Sequence, residues 1–207
     1  MITVTTEDDP TPIVRVLATT IRRSCETPSH SRAVARMRGT LVFKSANDPQ
    51  AATIRFSRGA VHLETGARTP AKVTITADLA LMNEPDAPKP KVEGAEAHLL
   101  FALGASKALT PKYGTWQEEA ARFWQNTSTG AGMPSGILVR CLDDGSELRL
   151  GGQTECEVHA SAFELRNLFC GNTTLGERAF AGKLFAVGPL NHLAVLTGAG
   201  LHYSLGG

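Results

Sequence analysis

The chain has 207 residues, and its 21 basic and 20 acidic side chains leave a formal net charge of only +1. This balance gives no electrostatic case for binding nucleic acid or an anionic membrane surface. Hydrophobic residues make up 42% of the sequence, which is typical of a folded domain, and no apolar run reaches the roughly 20 residues that cross a bilayer.

The N-terminal half is predicted to begin with two amphipathic helices. Thr11 and Pro12 favour the start of a helix that reaches Cys25, and Pro28 favours a second helix that ends near Met37. Six arginines recur here at helical spacing between apolar residues: Arg15, Arg22, Arg23, Arg32, Arg36 and Arg38. This pattern favours a solvated helix face over a binding patch.

Short strands follow the two helices. Turns such as Arg58-Gly59 separate them, and strands joined in this way are typical of an antiparallel meander. The expected strands are 40–44, 52–57, 60–64 and 72–77. A proline-rich loop at 79–90, a strand at 91–93 and a helix at 95–109 complete this half.

The C-terminal half is predicted to contain four helices and four strands. Thr115 and Ser161 are placed to cap helices, Gly171 ends one, and Gly198 ends the last. The helices are expected at 116–127, 162–170, from Thr173 or Thr174 to Ala181, and 191–196. The strands are expected at 136–142, 146–150, 155–160 and 183–187, with residues 200–207 as a tail.

A faint internal repeat links the two halves. Residues 94–105 align without gaps on residues 188–199, so that His98 matches His192. Upstream, Val73 and Ile75 match Cys156 and Val158. Further upstream, the segment beginning at Ile54 resembles the segment beginning at Val139. A repeat of this length indicates a duplicated domain rather than a solenoid unit.

Residues 155–196 carry the most specific pattern. An alternating apolar strand precedes a helix that ends in Leu168-Phe169-Cys170-Gly171, and Ala179-Phe180-Ala181-Gly182-Lys183-Leu184 follows. Val187-Gly188 and an apolar closing helix from His192 to Leu196 complete it. In order and spacing, this stretch resembles the sterol carrier protein type 2 (SCP-2) family of small lipid-binding domains.

The resemblance implies an α+β fold made of two SCP-2-like halves, each an antiparallel-rich sheet covered on one face by helices. In the family the sheet has five strands. The helices expected between residues 162 and 181 form a helix pair in the family. The expected halves are residues 1–110, in which this helix pair is shortened, and residues 111–207, which are nearly complete. Because the first half departs from the family where the helix pair should be, the resemblance places lipid binding in the second half.

The resemblance also implies an apolar tunnel between the sheet and the helices, without catalysis. The residues expected to line the tunnel are Leu165, Leu168, Phe169, Leu175, Phe180 and Leu184. Phe185 is a further candidate for the lining. The implied function is binding or transfer of a fatty acid, an acyl-CoA or a sterol-like lipid. The alternative is a protein-interaction or oligomerisation module, with a protein partner or a homodimer, whose apolar residues fill a core and hold no lipid.

The sequence shows no catalytic or metal-binding motif, so neither an enzyme nor a cofactor is predicted. Cys156 and His159 point to opposite faces of a strand and cannot share a metal. The four cysteines lack a CxxC pair and fit buried, reduced thiols, and the acidic N-terminus does not resemble a signal peptide. A cytoplasmic location is therefore expected. The matched pair His98 and His192 favours helix-surface positions over a head-group site.

Overall fold

A computed structural model describes residues 2–78, 81, 84 and 86–206. The chain divides after Lys112 into two compact units. Within the described residues there are seven helices and two sheets, so the expected α+β class is confirmed.

The N-terminal unit places three helices against one face of a six-stranded sheet. The helices are α1 (Pro12–Glu26), α2 (Pro28–Arg36) and α3 (Leu99–Leu109). The strands are β1 (Thr3–Thr6), β2 (Arg38–Ser45), β3 (Ala51–Ser57), β4 (Ala60–Thr65), β5 (Val73–Ala77) and β6 (Lys91–Glu93). Alternate residues of the strands, such as Leu41, Ile54 and Leu63, face the helices and form the core.

The strands of this unit run in the order β1-β4-β3-β2-β5-β6. The expected meander holds only from β2 to β4. Strand β5 crosses to the other side of β2 and pairs with it in parallel, with Leu41 opposite Val73. Strand β1 also pairs in parallel, with β4. The predicted meander was wrong because the alternation of apolar residues in a short strand does not determine which strand pairs with it.

Two further expectations for this unit are corrected. Arg38 is the first residue of β2, so it does not lie on a helix face. Helix α3 begins at Leu99, because residues 95–98 form a turn. In the proline-rich loop expected at 79–90, Leu79, Ala80, Met82, Asn83 and Pro85 lie outside the described residues, and its other residues form no helix.

The C-terminal unit contains a four-stranded sheet and four helices within its described residues. The strands are β7 (Gly136–Cys141), β8 (Glu147–Gly151), β9 (Cys156–Ala160) and β10 (Leu184–Val187). The helices are α4 (Trp116–Thr127), α5 (Ala162–Phe169), α6 (Leu175–Phe180) and α7 (Leu190–Ser204). The sheet order is β10-β9-β7-β8, with β7 and β9 parallel and the other pairs antiparallel.

Helix α7 corrects the predicted end of the chain. It passes Gly198 and takes in most of the expected tail, whose last residue, Gly207, lies outside the described residues. Leu196 is buried, and Tyr203 packs edge-on against the Phe123 ring with centroids 5.5 Å apart. This packing outweighs the cost of about 1 kcal/mol that a glycine imposes inside a helix.

The two sheets share a four-strand pattern. Strands β3-β2-β5-β6 of one unit and strands β8-β7-β9-β10 of the other pair in the same sequence of directions: antiparallel, parallel, antiparallel. Ile75 lies opposite Phe43, and Val158 lies opposite Val139. The topology therefore makes Val139 equivalent to Phe43 rather than to Ile54, which corrects the expected alignment. The duplication itself stays a prediction.

Candidate functional site

Five of the six residues expected to line a tunnel lie together in the core of the C-terminal unit. They are Leu165, Leu168, Phe169, Leu175 and Leu184. The sixth, Phe180, is 97% exposed at the end of α6. Helix α6 turns Leu175 inward, and five residues later the chain has rotated about 140° from that direction. Phe180 therefore faces solvent.

Local sequence signals fix the two short helices that carry these residues. The Ser161 hydroxyl accepts a hydrogen bond from the Glu164 amide at the start of α5. Thr174 and Glu177 form a capping box at the start of α6. Between the helices, Gly171 has φ +81°, and a Cβ there would come within 3.2 Å of the Ser204 backbone. Glycine is therefore required at this turn.

A buried ion pair connects α5 and α6. The Arg178 guanidinium Nε lies 3.3 Å from the Glu164 carboxylate, and the two side chains are 6% and 9% exposed. Removing either charge would leave the other buried without this partner, so the pair constrains how the two helices pack. Next to α5, the Asn172 side-chain amide donates to Asn167 Oδ1 over 3.1 Å. An ion pair thus connects the two helices, and Leu165, Leu168 and Leu175 from the same helices pack into one apolar core.

Four large apolar side chains between residues 180 and 190 are exposed. They are Phe180 at 97%, Phe185 at 64%, Val187 at 61% and Leu190 at 82%. We call them the 180–190 apolar surface. Strand β10 lies at the edge of its sheet, and its alternation turns Leu184 inward and Phe185 and Val187 outward. Alternation alone could have identified Val187, and sequence analysis missed both Val187 and Leu190.

The matched histidines occupy different environments. His98 is exposed at the N-cap of α3. His192 is half-buried in α7, and its Nδ1 lies 3.7 Å from a Glu155 carboxylate oxygen.

Cys156 is buried in β9. Burial raises the pKa of its thiol, which keeps the thiol protonated and unreactive at neutral pH.

Two surface cavities, of about 510 and 240 Å³, lie in the N-terminal unit. The apolar tunnel in the C-terminal unit stays a prediction. In the part of the chain that the structure describes, no cluster of three His, Cys, Asp or Glu side chains is placed to hold a metal ion. No helix among the described residues has the length and apolar character needed to cross a membrane.

Comparison with known proteins gives matches at the level of structure. No family model and no curated protein matches the chain. A conserved hypothetical protein from Thermus thermophilus, described as a candidate sterol carrier protein, is 19% identical, covers 45% of this chain and 81% of its own, and has a TM-score of 0.34.

Two further solved structures also match about half of the chain. A crystal structure of sterol carrier protein 2 is 17% identical, covers 47% of this chain and 95% of its own, and has a TM-score of 0.34. UbiJ-SCP2, a ubiquinone synthesis protein, is 20% identical, covers 48% and 91%, and has a TM-score of 0.31.

Proposed function

We propose that the C-terminal unit binds or transfers a hydrophobic ligand of the fatty acid, acyl-CoA or sterol class, without catalysing a reaction on it. The observation that carries this proposal is the 180–190 apolar surface. Large apolar groups exposed together on one short stretch indicate a surface that is covered during function. The SCP-2-like pattern of residues 155–196 supports a lipid as the group that covers it.

The short helix α6 offers a route from this surface to the core beneath it. Leu175 at its start is buried with Leu165 and Leu168, whereas Phe180 at its end is exposed. The segment lies between Gly171 and Gly182, both with left-handed φ values of +81° and +67°. A hinge movement at these glycines would lift Leu175 and admit an acyl chain. Each methylene that the chain buries contributes about 0.8 kcal/mol.

Native mass spectrometry of the purified full chain, followed by solvent extraction, tests this proposal. We expect a bound mass that extracts as a fatty acid, an acyl-CoA or a sterol. A fluorescent fatty acid added to delipidated protein should bind at one site per chain. If the protein carries no extractable lipid and does not bind the probe, the proposal is wrong.

Protein interaction is the second candidate, since Phe185 and Val187 lie on an edge strand. An edge strand presents unpaired backbone groups that a strand of a second chain could hydrogen-bond, and the exposed side chains of Phe185 and Val187 could pack against that chain. A protein-interaction function predicts that lipid-free protein self-associates or binds a partner protein, and that this association depends on Phe185. Sedimentation analysis of wild type and Phe185→Asp separates the two candidates, because lipid binding by a monomer requires no self-association.

A further inference from the structure

The larger surface cavity, of about 510 Å³, lies where β2 begins and β3 ends in the N-terminal unit. Three arginines and two hydroxyl residues contribute to its lining: Arg38, Arg55, Arg58, Thr40 and Ser57. It is separate from the proposed lipid site, which belongs to the other unit. From this cavity we propose that the N-terminal unit binds a phosphate ester.

Strand register brings the polar side chains together. Arg38 lies directly opposite Ser57, and Thr40 lies directly opposite Arg55. Residues in opposed pairs share a face of the sheet, with Cβ atoms about 5 Å apart. The neighbours between them, such as Phe56, turn to the other face and are buried in the core. Two guanidinium groups and two hydroxyls therefore face solvent from one small area.

The charge of this area is only partly neutralised. Arg55 Nη2 is 2.7 Å from Glu64 Oε1, and Arg68 lies 3.4 Å from the other oxygen of the same carboxylate. One carboxylate is thus shared by two arginines. Among the described residues, no carboxylate lines the cavity and none forms an ion pair with Arg38 or Arg58. Because the whole chain carries only +1, this local excess of positive charge is pronounced.

Arg58 is placed by a turn that disfavours arginine. Ser57 and Ala60 close a two-residue hairpin turn in which Arg58 has φ +41° and Gly59 has φ +89°. This geometry is that of a type I′ turn, whose first position favours Asn, Asp or Gly. Turn chemistry therefore does not account for an arginine there. A strained residue at the edge of a cavity indicates a role for its side chain.

The donor set fits a phosphate group better than a carboxylate. A guanidinium offers a planar fork that binds two phosphate oxygens, and among the described residues no carboxylate pairs with the forks of Arg38 and Arg58. The hydroxyls of Thr40 and Ser57 add donors for a third oxygen. The cavity volume lies in the range of small-molecule sites, about 300–1,000 Å³. The cavity is open and larger than one phosphate group, so it has room for the organic part of a phosphate ester. Both a soluble ester and a phospholipid head group carry this chemistry.

Calorimetric titration of the full chain with glycerol 3-phosphate, with glycerol as the uncharged control, tests the soluble source. Flotation with vesicles of digalactosyldiacylglycerol, a lipid without phosphate, with and without phosphatidic acid, tests the lipid source. Arg58→Asn removes the charge and suits the turn, so we expect unchanged or higher thermal stability and an affinity at least about tenfold weaker. Arg38→Gln leaves the turn intact and should weaken binding similarly.

Arg149→Gln is the matched control, because it removes the same charge from an exposed site in the other unit. Binding of either phosphate probe that is lost in Arg58→Asn and Arg38→Gln and kept in Arg149→Gln supports the proposal, and the probe that binds identifies the source. The proposal is overturned if the wild type binds neither probe. It is overturned equally if Arg58→Asn and Arg38→Gln bind as the wild type does, or if Arg149→Gln loses as much affinity as they do.

Discussion

Substitution of Phe180 by aspartate should separate ligand binding from stability. The side chain is 97% exposed, so its removal takes no contact from the core and should change the free energy of unfolding by less than about 0.5 kcal/mol. A ligand that covers the ring gains about 1.5–3 kcal/mol from its burial. Loss of that contribution weakens binding about 10- to 150-fold, since each 1.4 kcal/mol is a factor of ten.

Phe169→Ala provides the contrasting variant in the same unit. Phe169 is 3% exposed, and its ring lies 5.5 Å from that of Phe123. Its truncation should therefore lower the free energy of unfolding by about 3–5 kcal/mol. The assay is titration of delipidated protein with a fluorescent fatty acid, with urea unfolding measured on the same samples.

Leu100→Asp is the control for an exposed apolar residue outside the proposed site. Leu100 is 86% exposed in the first turn of α3, where a negative charge is tolerated. We expect its affinity for the probe to equal that of the wild type. If Phe180→Asp folds normally and binds the probe as tightly as the wild type, ligand contact with the 180–190 apolar surface is refuted.

Three further predictions concern stability. Arg58→Asn removes an arginine from a left-handed backbone conformation and should raise the free energy of unfolding by about 1 kcal/mol. A thermal melt with a lower midpoint than that of the wild type contradicts this. Glu164→Leu leaves the Arg178 guanidinium buried without this carboxylate and should cost about 3 kcal/mol in urea unfolding, and a loss under about 1 kcal/mol would show that the pair contributes little. A hydrogen bond from the Thr65 hydroxyl lowers the pKa of Glu7 in the folded protein below its ordinary value of 4.5. The ionised Glu7 therefore contributes its full stabilisation above pH 4.5, and this contribution is lost as the pH falls through the pKa of the folded state. Glu7→Gln should therefore lose less stability than the wild type between neutral and acidic pH in thermal melts, and identical pH profiles would count against this role.

Local signals in the sequence predicted most elements close to their observed bounds. The caps at Ser161 and Thr174 form as expected, because a side-chain oxygen followed three residues later by glutamate satisfies amides at a helix start. Alternation in residues 155–160 predicted a strand with Cys156 and Val158 on one face, and the structure buries both side chains. These features depend only on neighbours in sequence, so a single sequence contains them.

Features that depend on distant packing were predicted less well. Nothing near β5 in sequence shows that it pairs in parallel with β2, since that choice depends on the whole sheet. Gly198 was expected to end a helix, but contacts of α7 with the core keep the chain helical to Ser204. Arg38 was grouped with Arg32 and Arg36 on a helix face, whereas α2 ends at Arg36 and Arg38 begins a strand.

The two proposed sites lie where the units depart from their shared four-strand pattern. The C-terminal unit inserts α5 and α6 between β9 and β10, and the 180–190 apolar surface begins at the end of that insertion. The N-terminal unit instead adds β4 after β3, and the turn that joins them positions Arg58. Each site therefore depends on an element that its counterpart lacks among the described residues.

This difference makes the two proposals separable in one experiment. Phe180→Asp should weaken binding of the fatty acid probe and leave glycerol 3-phosphate or phosphatidic acid binding unchanged. Arg58→Asn should do the reverse, because its only change is at the β3–β4 turn. If either variant weakened both kinds of binding while remaining folded, the two ligands would share one site, and the assignment of one ligand class to each unit would have to be abandoned.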